Sequence, residues 1–121
     1  MLKHVALEVN DRNQAALFFT RILGLSKTKS STLSTDLGRA LFGKSDTVEM
    51  ETWANDDMCL EVFITDSPAP ATYRHLCLSV PDREAFVANC KSNDVALITA
   101  QKGDRELLFI KDFSGNLYEI V

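Results

Sequence analysis

The pattern of apolar and polar positions is repeated between the two halves of the chain. Near the N-terminus, HVALEVNDR has an apolar residue at every second position, and HLCLSVPDR does the same in the second half. Such alternation is typical of a half-buried β-strand. Each copy leads into apolar residues at helical spacing, and Asp11 or Asp82 stands where a helix cap is expected. The pattern therefore predicts that each half begins with a strand followed by a helix, over residues 11–23 and 82–92.

Short strands are predicted after each helix. Gly24 and Asn93 are expected to take the left-handed backbone conformation that ends many helices. The segment DLGRALFGK is predicted to be a short helical or irregular connection, and KGD and DFSGN are predicted turns. The strands fall near residues 25–32, 46–54 and 57–65 in the first half and near 95–100, 105–112 and 116–121 in the second. Each half therefore has the order βαβββ.

The segment TDSPAPAT separates the two halves. It has no periodicity and contains all but one of the prolines, which is typical of a linker. We therefore expect one βαβββ module over residues 1–66, a linker over 67–72 and a second module over 73–121. The predicted fold is of the α+β class, with two βαβββ modules.

Composition narrows the functional classes. The net charge of −4 and the pI of about 5.1 leave no cationic surface for nucleic acid. No apolar run has the length of a membrane span, and no signal peptide is evident. The three cysteines, Cys59, Cys77 and Cys90, are not spaced as a disulfide framework or a zinc knuckle. We expect a cytoplasmic protein that binds neither nucleic acid nor membranes.

The two histidines and two glutamates occupy equivalent places in the repeat. His4 and His75 open the two copies, while MCLEVF and NLYEIV close the modules with Glu61 and Glu119 in the same position. A glutamate between apolar strand residues is costly to bury without a partner. If the four side chains line one cavity, they suit a divalent first-row ion such as Zn, Ni, Mn, Fe or Co. Taken singly, each of the four is explained as a polar strand residue; the repeated placement favours the metal site.

The whole chain resembles the vicinal oxygen chelate superfamily, which includes glyoxalase I, methylmalonyl-CoA epimerase, extradiol dioxygenases, fosfomycin resistance enzymes and bleomycin-binding proteins. The resemblance rests on HVALEVNDRNQAALFFTRILGL, RHLCLSVPDREAFVANCKSNDVALI and LLFIKDFSGNLYEIV. It implies that the two βαβββ modules form an eight-stranded cupped sheet around a metal cavity, with the helices outside. The resemblance implies that this cavity forms within one chain or across a homodimer. Because this scaffold hosts several chemistries, the resemblance is more specific for the fold than for the reaction.

The candidate ligand set is most similar to that of bacterial glyoxalase I. The resemblance implies a divalent-metal-dependent glyoxalase-like lyase or isomerase with no organic cofactor, acting on a small carbonyl compound or thiol conjugate through a metal-stabilised enediolate. It assigns the catalytic base to Glu119, with Glu61 as its counterpart. The alternatives are a metal-dependent epimerase and a non-catalytic protein that sequesters a small molecule.

Four further residues are candidates for substrate binding. Glutathione-using relatives typically carry Arg four residues after the first His, whereas this chain has Glu8. A carboxylate there is expected to repel a glutathione carboxylate, unless Glu8 is simply a solvated strand residue. Cys59, Phe63 and Cys77 lie close to the candidate ligands in sequence and are expected to border the cavity, although a buried cysteine is more often a small apolar residue.

Overall fold

The computed structural model describes all 121 residues and contains the two predicted modules. The first module comprises β1 (Val5–Val9), α1 (Arg12–Arg21), β2 (Ser26–Leu33), α2 (Thr35–Phe42), β3 (Val48–Ala54) and β4 (Cys59–Ile64). The second module comprises β5 (Leu76–Leu78), α3 (Arg83–Ser92), β6 (Ala96–Lys102), β7 (Arg105–Lys111) and β8 (Leu117–Ile120). The segment predicted as a helical or irregular connection is helix α2, which the second module lacks. None of the three helices has the length and apolar composition needed to span a membrane.

Each module forms one four-stranded sheet. The strand orders are β1-β4-β3-β2 and β5-β8-β7-β6, so the first strand of each module lies at an edge and pairs with the last strand. That pairing is parallel, whereas the other pairs are antiparallel. The α+β class and the two-module architecture are confirmed. The eight strands of one chain belong to two hydrogen-bonded sheets of four strands each, one in each module.

The helix ends follow the sequence signals with one exception. The side chains of Asp11 and Asp82 each accept a 2.9 Å hydrogen bond from the backbone three residues on, so both predicted caps are present. Gly24 has the expected positive φ of 65°. The prediction for Asn93 is wrong, because its φ is −109° and the left-handed residue is Asp94, with a φ of 57°. Asn93 still donates backbone hydrogen bonds to the helix, which moves the chain reversal one residue further.

The core lies between the two sheets, and α1 contributes to both sides of it. The Phe19 ring lies 5.4 Å from Trp53 of its own module, and the Phe18 ring lies 5.2 Å from Tyr118 of the other module. Cys90 of α3 is completely buried here, and this burial raises the pKa of its thiol to about 11. It is therefore an apolar core residue, as expected for most buried cysteines. The helices cover one face of each sheet and leave the opposite face open.

The DFSGN turn is organised around a buried carboxylate. Asp112 Oδ1 accepts hydrogen bonds from the backbone amides of Ser114 and Asn116, while Oδ2 accepts from the Tyr118 hydroxyl and the Asn116 side chain. Burial raises the pKa of Asp112, and these four hydrogen bonds oppose the shift. The buried carboxylate is thus held by four hydrogen bonds that compensate for its loss of solvation.

The same turn joins the second module to the first. The backbone amide of Asn10 donates to Ser114 Oγ at 3.0 Å, and the Asn116 side chain donates to the carbonyl oxygen of Glu8 at 2.8 Å. Both contacts reach the end of β1. The turn therefore positions the strand that follows His4 relative to the second module.

We predict that Asp112→Ala lowers the free energy of unfolding by about 3 kcal/mol, because it leaves the buried Tyr118 hydroxyl and two backbone amides without an acceptor. Urea denaturation measures this change. Asp104→Ala, at the exposed turn between β6 and β7, is the matched control and is expected to change stability by less than about 0.5 kcal/mol. Equal effects of the two substitutions would show that the hydrogen bonds of Asp112 contribute nothing specific.

Candidate metal centre

The structure brings the four candidate ligands together as two separate pairs. His4 Nε2 lies 3.2 Å from Glu61 Oε2, and His75 Nε2 lies 3.5 Å from Glu119 Oε2. Each pair consists of the histidine that opens a module and the glutamate that closes it. The equivalence that the sequence predicts between the modules is therefore also a geometric equivalence.

Parallel pairing of the first and last strands produces both pairs. In the first module Ala6 is the register partner of Glu61, and in the second Cys77 is the partner of Glu119. Each histidine lies two residues before that partner, so its side chain projects from the same face of the sheet. Because the edge strand is adjacent to the strand that carries the glutamate, the imidazole lies beside the carboxylate.

The glutamates lie on the open face of each sheet, away from the core. Leu60 and Val62 of β4 are buried, while Glu61 between them keeps 28% of its side chain exposed. Glu119 keeps 24% exposed, and its neighbour Tyr118 is fully buried. Cys59, Glu61 and Phe63 therefore project from the face of β4 opposite to the buried Leu60 and Val62.

The hydrogen bonding of His75 leaves one ring nitrogen free to bind a cation. Its Nδ1 lies 2.9 Å from the carbonyl oxygen of Tyr73, which can only accept, so Nδ1 carries the proton. In the neutral ring Nε2 then presents a lone pair towards the Glu119 carboxylate. Two electron-rich groups that face each other are stabilised by a cation between them, either a proton or a metal ion. Metal-binding histidines commonly hold their other nitrogen in this way.

The imidazole of His75 is also held by an aromatic neighbour. Phe109, the register partner of Glu119 on β7, contacts it edge to face with ring centroids 5.5 Å apart. The equivalent residue of the first module is Thr52, and His4 lacks a comparable backbone acceptor for Nδ1. The second-module pair is therefore the more firmly oriented of the two.

One chain alone does not bring three of these ligands together. The structure contains no group of three or more His, Cys, Asp and Glu side chains placed to hold a metal ion. The His4–Glu61 and His75–Glu119 pairs belong to different sheets. Protein metal sites generally use three or four protein ligands, so each pair is half of the expected set.

The other candidate residues border the same open faces. Glu8 is exposed and is the register partner of Phe63, which lies two residues after Glu61. Cys77 lies beside Glu119; desolvation, together with the charge and hydrogen bond of Glu119, raises the pKa of this thiol. Cys59 is half-buried, two residues before Glu61.

A groove of about 660 Å³ runs between β1 and the segment that joins the modules. Glu8 and His75 both border it. The groove therefore connects the edge of the first module's open face to the second-module histidine, which is compatible with a role of Glu8 in ligand binding.

The repeated arginine of the NDR and PDR motifs belongs to the scaffold. Arg12 forms ion pairs with Glu49 and Glu51 of β3, and Arg83 pairs with Glu106 of β7 at 3.4 Å. Sequence reasoning did not find the buried Glu51, which also accepts a 2.9 Å hydrogen bond from the Trp53 indole. The repeated Asp-Arg pair is the sequence signal for such an acidic partner. The Asp caps the helix, and the Arg forms an ion pair with a glutamate of the sheet.

We predict that His75 in the metal-free protein is the Nδ1-protonated tautomer when neutral, because the Tyr73 carbonyl accepts from Nδ1. Long-range ¹H–¹⁵N correlation spectra of the imidazoles distinguish the two tautomers, and His4 provides the internal comparison. Addition of Zn should shift the Nε2 signal of His75 and leave Nδ1 protonated. A neutral Nε2-protonated form would contradict the assignment of Nε2 as the metal-binding atom.

Comparison with known families gives a match over most of the chain. A model of the glyoxalase/bleomycin resistance protein/dioxygenase superfamily matches residues 3–109. A search of curated proteins found no significant match.

Solved structures share the fold at low sequence identity. A mutant of the fosfomycin resistance protein FosX from Listeria monocytogenes, complexed with Mn(II) and 1S,2S-dihydroxypropylphosphonic acid, is 18% identical, with a TM-score of 0.74 over 99% of this chain and 87% of that chain. FosX from Mesorhizobium loti is 11% identical, with a TM-score of 0.70 over 99% and 89%. A glyoxalase family protein from Enterococcus faecalis is 19% identical, with a TM-score of 0.75 over 99% and 95%. At these identities the similarity shows the fold alone.

Proposed function

Because the chain belongs to the glyoxalase/bleomycin resistance protein/dioxygenase superfamily, we propose that it is a divalent-metal-dependent enzyme whose metal centre forms between two copies of the chain. The observation that carries this proposal is the division of the ligands into two His–Glu pairs on separate sheets. In a twofold homodimer, the His4–Glu61 pair of one protomer would face the His75–Glu119 pair of its partner, and the arrangement would occur twice.

The donor set fits a first-row divalent ion. Two imidazole nitrogens and two carboxylates suit Zn, Ni, Mn, Fe or Co, and they would leave positions open for a substrate. The free Nε2 of His75 and its backbone-held Nδ1 support a metal-binding role. The Mn(II) complex of the Listeria FosX supports a divalent ion in this fold.

The proposed reaction is the movement of a proton beside a carbonyl group, as in a glyoxalase-type lyase or isomerase. A bound metal ion would supply an electrophile that holds two neighbouring oxygens of the substrate. Glu119, half-buried beside His75, would take up the proton and return it to the neighbouring atom. Glu61 is its counterpart on the other sheet and would complete the ligand set. A small carbonyl compound or its thiol conjugate has the required pair of oxygens.

Two other functions use the same fold. A metal-dependent epimerase would use the same ligands and the same proton transfer on a different substrate. A sequestering protein would not need two half-buried carboxylates beside histidines, which favours the enzyme. Screening the metal-loaded protein against methylglyoxal–thiol adducts, acyl-CoA epimers and catechols separates these functions. Turnover of none, with tight binding of an aromatic compound, would favour sequestration.

We predict that mixed dimers of two ligand-deficient variants regain one metal site. One variant carries His4→Ala and Glu61→Ala, and the other carries His75→Ala and Glu119→Ala. Because each intact site takes one pair from each protomer, the mixed dimer should bind about one ion, whereas the parent dimer binds about two. Calorimetric titration with Mn or Zn after purification on two different affinity tags measures the stoichiometry.

The unmixed variants are the controls and should bind no ion at these sites. If the centre lay within one chain, neither the mixed nor the unmixed dimers would bind, because every chain would lack one pair. Binding by the variants at parental stoichiometry would instead show that these four residues are not the ligands.

We predict that Glu8→Arg improves the use of the methylglyoxal–glutathione hemithioacetal, on which the parent is expected to act poorly. A like charge is replaced by an opposite charge at the open face, and kcat/KM should rise by about tenfold or more. Glu84→Arg on α3 makes the same charge change outside the site and should have no effect. Efficient turnover by the parent, without gain from Glu8→Arg, would place Glu8 away from the thiol conjugate.

A further inference from the structure

Helix α2 carries an unusual share of exposed apolar side chains. Leu37, Leu41 and Phe42 are 53%, 66% and 54% exposed, although the helix has only eight residues. The second module has no equivalent helix. An insertion that displays large apolar groups in one module alone requires an explanation beyond the packing of the fold.

Phe42 reaches the open face that carries Glu61. The Phe42 ring packs edge to face on Phe63, with ring centroids 5.6 Å apart. Phe63 lies two residues from Glu61 on the same face of β4, and its register partner on β3 is Met50. These three apolar side chains, Phe42, Phe63 and Met50, form a wall beside the candidate metal ligand.

The position of α2 is fixed at both ends. Ser34 caps its start by accepting a hydrogen bond from the Leu37 amide, and Gly43 ends it with a φ of 65°. At Gly38, a Cβ would lie 3.5 Å and 3.6 Å from the carbonyl oxygens of Lys44 and Asp46, so the helix packs closely on the following segment. Phe42 is therefore presented to the open face by an ordered element.

We propose that Phe42, together with Phe63, selects substrates that carry an aryl or alkyl group next to the two oxygens held by the metal. This inference rests on the proposed metal centre. The apolar part of the substrate packs against this wall, because the wall is continuous with Glu61. Glu8 is the other register partner of Phe63, and its charge opposes an anionic group at that edge.

Hydroxamates test this selection without requiring turnover, because they bind a metal ion through two neighbouring oxygens. Calorimetry on the Mn- or Zn-loaded protein compares benzohydroxamate with acetohydroxamate, which differ only in the apolar group. The parent should bind the aryl compound about tenfold more tightly or better. Phe42→Ala should bring the ratio of the two Kd values close to one, with little change for acetohydroxamate, and Phe42→Leu should restore part of the preference.

Leu37→Ala is the matched control, since it removes an exposed apolar side chain from the first turns of the same helix. It should leave the ratio unchanged. Equal binding of both hydroxamates by the parent, or an unchanged ratio in Phe42→Ala, would overturn the inference and leave the metal centre intact. Conversion of Phe42→Ala to a monomer in sedimentation would overturn it too, by assigning Phe42 to a subunit contact. Failure of the metal-loaded protein to bind either hydroxamate would remove the proposed centre and the inference with it.

Discussion

Parallel pairing between the first and last strand of each module is the interaction on which the candidate site depends. It places Ala6 opposite Glu61 and Cys77 opposite Glu119, and so brings each histidine beside a carboxylate. Because side chains alternate along a strand, a slip of one residue would turn the glutamate into the core. The apolar neighbours of each glutamate prevent this, since Leu60, Val62, Tyr118 and Ile120 are all buried. The hydrophobic pattern that forms the core therefore also fixes the ligand geometry.

The packing that stabilises the chain also separates the two ligand pairs. Helix α1 contacts both modules through Phe18 and Phe19, so the core lies between the sheets and the open faces point away from it. A single chain consequently has two ligand pairs at separate places, and each pair is only half of a four-ligand metal site. In the proposed homodimer, each pair would meet the complementary pair of the partner chain. The uncovered faces of the two sheets are compatible with such an association.

Much of the fold could be predicted because the two halves of the sequence repeat the same pattern of strands, helix caps and closing glutamate. Alternation of period two located the strands around His4 and His75, and the aspartate caps located both long helices. The repeat predicts equivalent places for Glu61 and Glu119, and both lie opposite the edge strand that opens their module. Helix α2 was harder to predict because its short amphipathic pattern is flanked by Ser and Thr residues that suit a strand or a turn equally well. The reversal after α3 was displaced to Asp94 because hydrogen bonds at Asn93 extend the helix by part of a turn.

What the repeat could not predict is how the modules sit relative to each other. Equivalent positions in two modules do not reveal whether the two ligand pairs lie in one cavity or on separate faces. That depends on contacts such as those of Phe18 with Tyr118 and Asn116 with Glu8, which join residues far apart in the chain. The aromatic contact between Phe42 and Phe63 is of the same kind, and its proximity to Glu61 becomes visible only once the sheet is assembled.

The central claim is that a metal ion lies between the ligand pairs of two protomers. Anomalous scattering from crystals of the Mn-loaded protein locates the ion directly. We expect one peak at each junction where His4 and Glu61 of one protomer face His75 and Glu119 of the other, within the usual distance for metal–nitrogen and metal–oxygen bonds. A peak bound by one pair alone, or a site elsewhere in the molecule, would contradict the claim.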